Sequence, residues 1–128
     1  MSEWIETKLS ELCCFTAGTA FKKSLQGRNS GEIPFIKVSD MNLSGNEFYI
    51  KGSNNWVMTK DIPNIKKKLH PENSTVFAKI GEALKANRRR LLTEPTIIDN
   101  NMMSAVANEA TDPTYLYYVL SGIDFNQY

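Results

Sequence analysis

Apolar positions fall in short runs separated by polar turns, a pattern that predicts strands framed by a short helix at each end. Trp4 to Cys14 reads as a short opening strand and then a helical turn, with Trp4, Ile5, Leu9, Leu12 and Cys13 facing inward. "FTAGTAFKKSLQGRNSGEIP" is rich in Gly, Ser, Thr and Asn and is expected as a long loop or hairpin. "IPFIKVSDM" (Ile33 to Met41) has the β-branched content of a strand, with Pro34 at its start. A short aromatic strand, Phe48-Tyr49-Ile50, lies between two turn signals. "MTKDIPNIKKKL" predicts one or two helical turns with Thr59 as N-cap and Pro63 in the first turn. "STVFAKIG" is expected as a buried strand ending at Gly81, and "TIIDNNMMSAVA" as another. Asp112 at N-cap and Pro113 at N1 open a last helix that stops at Gly122. Its apolar stripe is expected to hold Tyr115, Leu116, Val119 and Leu120.

These elements predict an α+β fold, with a curved, mostly antiparallel or mixed β-sheet and short flanking helices. The 128 residues form one expected domain, residues 1–128, with a radius of gyration of about 14 Å. At 41% hydrophobic and 23% charged residues the composition is that of a globular chain, and no apolar run approaches the ~18 residues of a membrane span. Cys13 and Cys14 are adjacent, so a bridge between them staples nothing; both are expected as reduced thiols in a cytoplasmic protein. On an apolar face they are core residues before they are nucleophiles.

Charge changes the picture most. The net charge is +1, yet residues 60–90 hold nine Lys/Arg against three Asp/Glu, and residues 91–128 hold five acidic residues and no Lys or Arg. The basic middle either pairs with the acidic end or is free to meet an anion. Lys66, Lys67 and Lys68 form one group, Lys79 and Lys85 a second, and Arg88, Arg89 and Arg90 a third. Asn87, Asn100 and Asn101 stand near the last in sequence. Arginine forks match guanine O6 and N7, asparagine amides match adenine, and lysines suit phosphates. A solvated basic loop explains the same residues without DNA.

Catalytic tools are missing from the sequence. It has no Gly-x-Gly-x-x-Gly and no phosphate loop ending in Gly-Lys-Ser/Thr. "IDNNMM" lacks both prolines of the Asn/Asp-Pro-Pro-aromatic motif of base-amino methyltransferases. Asp40, Glu82 and Lys85 can be drawn together as a Mg²⁺ nuclease site, but Glu82 and Lys85 are spaced one residue too far apart for a Glu-x-Lys pair. One histidine, His70, and no spaced cysteines make a structural zinc unexpected. No cofactor is expected.

"IPFIKVSDM", then "STVFAKIGEALKANRRRLLTEPTIIDNNMMSAV", then "YLYYVL", together with the opening Trp4 and "KLSELCCFTAG", resemble the target recognition domain of type I restriction–modification specificity subunits. The resemblance runs from about Trp4 to Phe125, with the pieces in the family's order. It implies non-catalytic, sequence-specific binding of double-stranded DNA. The domain would read one half of a bipartite target for a separate methyltransferase subunit and a separate restriction (motor and nuclease) subunit. Lys37, Lys79 and Lys85 sit in the matching motifs, whereas the arginine triplet is read from this chain alone. Beyond "IDFNQY" the family domain continues, so the chain is expected to be a fragment or a degenerate open reading frame. The competing expectation is a truncated interaction or antagonist module that binds the methyltransferase subunit or self-associates, with Tyr115 to Leu120 as its face.

Overall fold

The computed structural model describes residues 9–79 and 88–123. Residues 9–12 are helical and lead directly into β1 (Cys13–Ala17). There follow β2 (Ile33–Ile36), β3 (Tyr49–Ile50), β4 (Trp56–Val57), α1 (Ile65–Lys68), β5 (Thr75–Ala78), β6 (Arg90–Leu92), β7 (Ile97–Ile98), β8 (Met102–Ala107) and α2 (Pro113–Ser121). The strands form a five-stranded sheet in the order β1-β8-β5-β6-β3 and a three-stranded sheet in the order β4-β2-β7. β3–β6 and β2–β7 are parallel and the other pairs antiparallel. The α+β class with mixed sheets and short flanking helices is therefore as expected.

Three apolar clusters separate the layers. Leu9, Cys13, Phe77, Ala105, Leu116 and Leu120 join α2 to one face of the larger sheet. Ile36, Met41, Ile50, Val76, Leu92, Ile98 and Met102 draw on strands of both sheets and fill the space between them. Leu25, Phe35, Val57, Ile65 and Ile97 close the outer side of the smaller sheet, where Phe21 stacks on Phe35 at 3.6 Å between centroids. Every residue of β5 is buried, as a strand central to the larger sheet requires.

Several local expectations are corrected. Cys13 and Cys14 lie on a strand, where side chains alternate between faces, so Cys13 is buried and Cys14 exposed. Burial, and then the neighbouring Cys14, push the Cys13 thiol up to about 11. β2 ends at Ile36 because the Asp40 carboxylate accepts from the Lys37 N–H at 2.8 Å and folds residues 38–42 into a 3-10 turn. "TIIDNNMMSAVA" is two strands, broken where Asp99 Oδ1 accepts from the Asn101 N–H at 2.8 Å. Thr59 begins a 3-10 turn instead of capping it, and Met58 stands at the cap. In α2 Leu116 and Leu120 are buried, but Tyr115 is 58% exposed and leaves the stripe. The expected opening strand before Leu9, and Gly81, lie outside the described residues.

One polar joint bridges the sheets. His70 exchanges backbone hydrogen bonds with Thr96, which leads into β7, while its Nδ1 lies 2.6 Å from Ser104 Oγ on β8. Burial pulls the imidazole below its ordinary value of 6.5. The unfolded chain therefore takes up a proton near pH 6.5 that the folded chain still refuses, and stability falls as pH drops through that value. Relative to His70→Gln, the wild-type chain is expected to lose stability between pH 7.5 and pH 5, by at most about 1.4 kcal/mol per pH unit. Denaturant titrations of both proteins at each pH read the difference; parallel curves would contradict a neutral buried imidazole.

Candidate nucleic-acid interface

β2 and β7 run parallel, with Phe35 opposite Ile97 and Ile36 opposite Ile98, so both strands end on the same side. The turn of residues 99–101 then starts β8, whose Met102 pairs with Ala78 at the end of β5. Arg90, opposite Val76, begins β6 at that same end. One end of the two sheets thus gathers Lys37, Lys79, Arg88, Asn100 and Asn101. Direct bonds tie the group: Lys79 N–H donates to Asn101 O at 3.0 Å, and Asp99 N–H to Ile36 O at 3.0 Å. Arg88, Asn100 and Asn101 are exposed, and Lys37 and Lys79 are partly so. Lys85 and Asn87 lie outside the described residues.

The three arginines do not act alike. Arg88 is exposed. Arg89 is 3% exposed, on the α2 side of the sheet: its guanidinium sits 5.0 Å from the Phe77 ring centroid and donates to Arg88 O at 3.0 Å and to Ile123 O at 3.3 Å. In this conformation the Arg89 guanidinium is buried on the opposite side of the sheet from Arg90. Arg90 is half-buried and donates through Nε to Met41 O at 3.2 Å. Burial, and less so Arg88, lower its pKa, while Tyr117 and Glu47 act against them.

Two groups absent from the sequence-based set bear on Lys37, one by a hydrogen bond and one through its charge alone. Its Nζ donates to Gln26 Oε1 at 2.9 Å, and Gln26 in turn donates to Phe21 O at 3.2 Å. Asp99 is the second: burial raises its carboxyl above the ordinary value, against the Asn101 N–H and the Lys37 charge, while Asp40 adds to the rise. Gln26 lies in a long loop that sequence periodicity does not place.

Asp40 is the member of the conceivable Mg²⁺ site that the structure describes, and it is 1% exposed. Its two oxygens accept from Lys37 N, Asn54 N and Asn55 Nδ2 at 2.8–3.1 Å. Asn46 beside it holds the backbone of Asp40, Lys51 and Gly52. This carboxylate organises a loop. Among the described residues no group of three or more His, Cys, Asp or Glu could hold a metal. Between described residues the one ion pair joins Arg28 to Asp61 at 2.8 Å, so Lys79 and Arg88 face no described carboxylate.

A family model of the type I restriction modification DNA specificity domain matches residues 1–127. The chain belongs to this family. Solved structures agree in fold with such a specificity domain. A chain from a structure of complex assembly and conformational transition of the type I R-M system superposes with a TM-score of 0.70 at 12% identity, over 93% of this chain and 27% of that one. The HsdS subunit from Thermoanaerobacter tengcongensis gives 0.62 at 13%, over 91% and 28%. The type I restriction–modification S subunit from M. genitalium gives 0.55 at 14%, over 88% and 24%. The specificity domain described here spans about a quarter of the length of those chains. No curated protein matches it significantly. The expected resemblance to a target recognition domain is borne out.

Proposed function

We propose that residues 1–128 act as a single recognition domain that binds double-stranded DNA in the cytoplasm and reads one half-site of a bipartite target. The methyltransferase and restriction subunits would supply the chemistry, and this chain none. The observation that carries the reading is the gathering of Lys37, Lys79, Arg88, Asn100 and Asn101 at one end of the two sheets. A module roughly 30 Å across, the size expected for a chain of this length, spans eight or nine base pairs at about 3.4 Å each, enough for a half-site.

Selection from a random double-stranded DNA pool at 50 and 200 mM salt tests it. If Lys37, Lys79 and Lys85 meet phosphates, log affinity falls against log salt with a slope of about −2.7, a loss of roughly 40-fold over that interval. A short motif that survives the higher salt is the expected result. Binding with no motif that vanishes at 200 mM would leave only a basic surface.

One observation favours a second reading, an interaction module. Tyr115, Tyr118 and Tyr49 are 58%, 61% and 39% exposed, and Tyr118 and Tyr49 share one ring cluster with Phe48 and Tyr117. Mass that rises with concentration, without affinity for DNA, would support it.

A further inference from the structure

Resting on the DNA-reading role proposed above, we infer that a small niche beside Arg88 is a subsite for the C5-methyl group of a thymine in the major groove. The niche is walled by Val38, Met41, Asn42, Ala78 and Arg88 and has a volume of ≈ 10 Å³. That is room for about one water-sized group, hence a methyl and not a ring. Its floor is continuous with the core: Met41 and Ala78 are 3% and 4% exposed, and Val38 packs on the cluster between the sheets. Such a floor offers a water few hydrogen-bond partners, whereas a methyl gains by being buried there.

The walls come from three separate places, the 3-10 turn after β2, the end of β5 and the approach to β6. All three stand at the end of the sheets that carries Lys37, Lys79 and Asn101. Charge there favours a polyanion over a neutral methyl-bearing ligand. In the major groove thymine presents its methyl and guanine its O6 and N7. A wall that sets an exposed arginine fork beside an alanine-floored niche fits a guanine and an adjacent thymine together. A second surface niche of the same volume, lined by Pro34, Ile50, Lys51, Trp56 and Glu94, lies toward the opposite end. Its rim offers one charge of each sign, and no arginine fork stands beside it.

The test uses the duplex selected by the full chain. Each thymine is replaced in turn by deoxyuridine, which removes the methyl and nothing else. One thymine, next to the guanine whose preference relaxes in Arg88→Ala, is expected to bind about fourfold more weakly without its methyl. Ala78→Val fills the niche and is expected to bind the parent duplex about fourfold more weakly, with no further loss on replacement at that position. If Ala78→Val does not fold, Val38→Ala widens the niche and should cut the deoxyuridine penalty below about twofold. A motif in which no thymine responds to loss of its methyl overturns the subsite and leaves DNA reading intact. A pool that yields no motif removes the DNA reading itself.

Discussion

Gly18→Ala is expected to unfold the domain at a temperature lower by roughly 10 °C or more. A Cβ on Gly18 would sit 1.8 Å from Asp99 O, 2.5 Å from the Asp99 carbonyl carbon and 2.7 Å from Ile98 O. All three are backbone atoms, so no rotamer change relieves the clash. β1 would have to lift off the turn between β7 and β8, breaking Gly18 N–H to Met102 O at 3.1 Å and Thr19 N–H to Ile98 O at 2.8 Å. Overpacking of side chains costs about 1–3 kcal/mol, and a clash with fixed backbone belongs at or beyond the upper end. The turn under strain carries Asn100 and Asn101, so DNA affinity should fall with stability. Gly52→Ala is the control, because nothing lies within 4 Å of its added carbon. Thermal unfolding followed by circular dichroism decides; a Gly18→Ala melt within about 2 °C of wild type would refute the close approach.

The same glycine shows what the sequence could and could not tell. "FTAG" is part of the stretch that resembles the family, yet the reason for a glycine there is a contact with residues some 80 positions away. Local chemistry was legible. Asp112 Oδ1 accepts from Thr114 and Tyr115 N–H at 2.9 and 3.1 Å, and Pro113 follows it, so the start of α2 was readable from adjacent residues. β5 was readable from its β-branched and apolar residues, Thr75 to Ala78. β1 was not, because "CCFTA" becomes a strand through five residue pairs with β8, a partner that no local pattern names. β6 was missed because Leu91 and Leu92 are both buried, which erases the alternation of a half-buried strand. The site was legible as a list and not as an arrangement. Lys37, Lys79, Arg88, Asn100 and Asn101 share one end, whereas Lys66, Lys67 and Lys68 sit on α1, before the His70 bridge to Thr96 at the other end of β7.

The arginine triplet gives the sharpest separation between DNA reading and structure. Arg88→Ala is expected to weaken binding to the selected duplex by about 1–3 kcal/mol, at least fivefold, and to relax the preference for one guanine. Its melting temperature should stay close to wild type, because the Arg88 side chain is exposed and its carbonyl, which Arg89 uses, remains. Arg89→Ala should do the reverse. It removes two charge-assisted bonds to carbonyl oxygens and a cation over the Phe77 ring, which together point to a loss of about 2–3 kcal/mol in stability. Well below its melting temperature the variant should retain wild-type affinity and motif, because the side chain removed is buried on the α2 side of the sheet. Paired melting curves and binding titrations at about 50 mM salt measure both effects. A stable Arg89→Ala that no longer binds would mean that Arg89 swings outward to meet DNA, and the division of labour within the triplet would have to be reassigned. If Arg88→Ala binds with full affinity and an unchanged motif, the end of the sheets that carries it is not the reading surface.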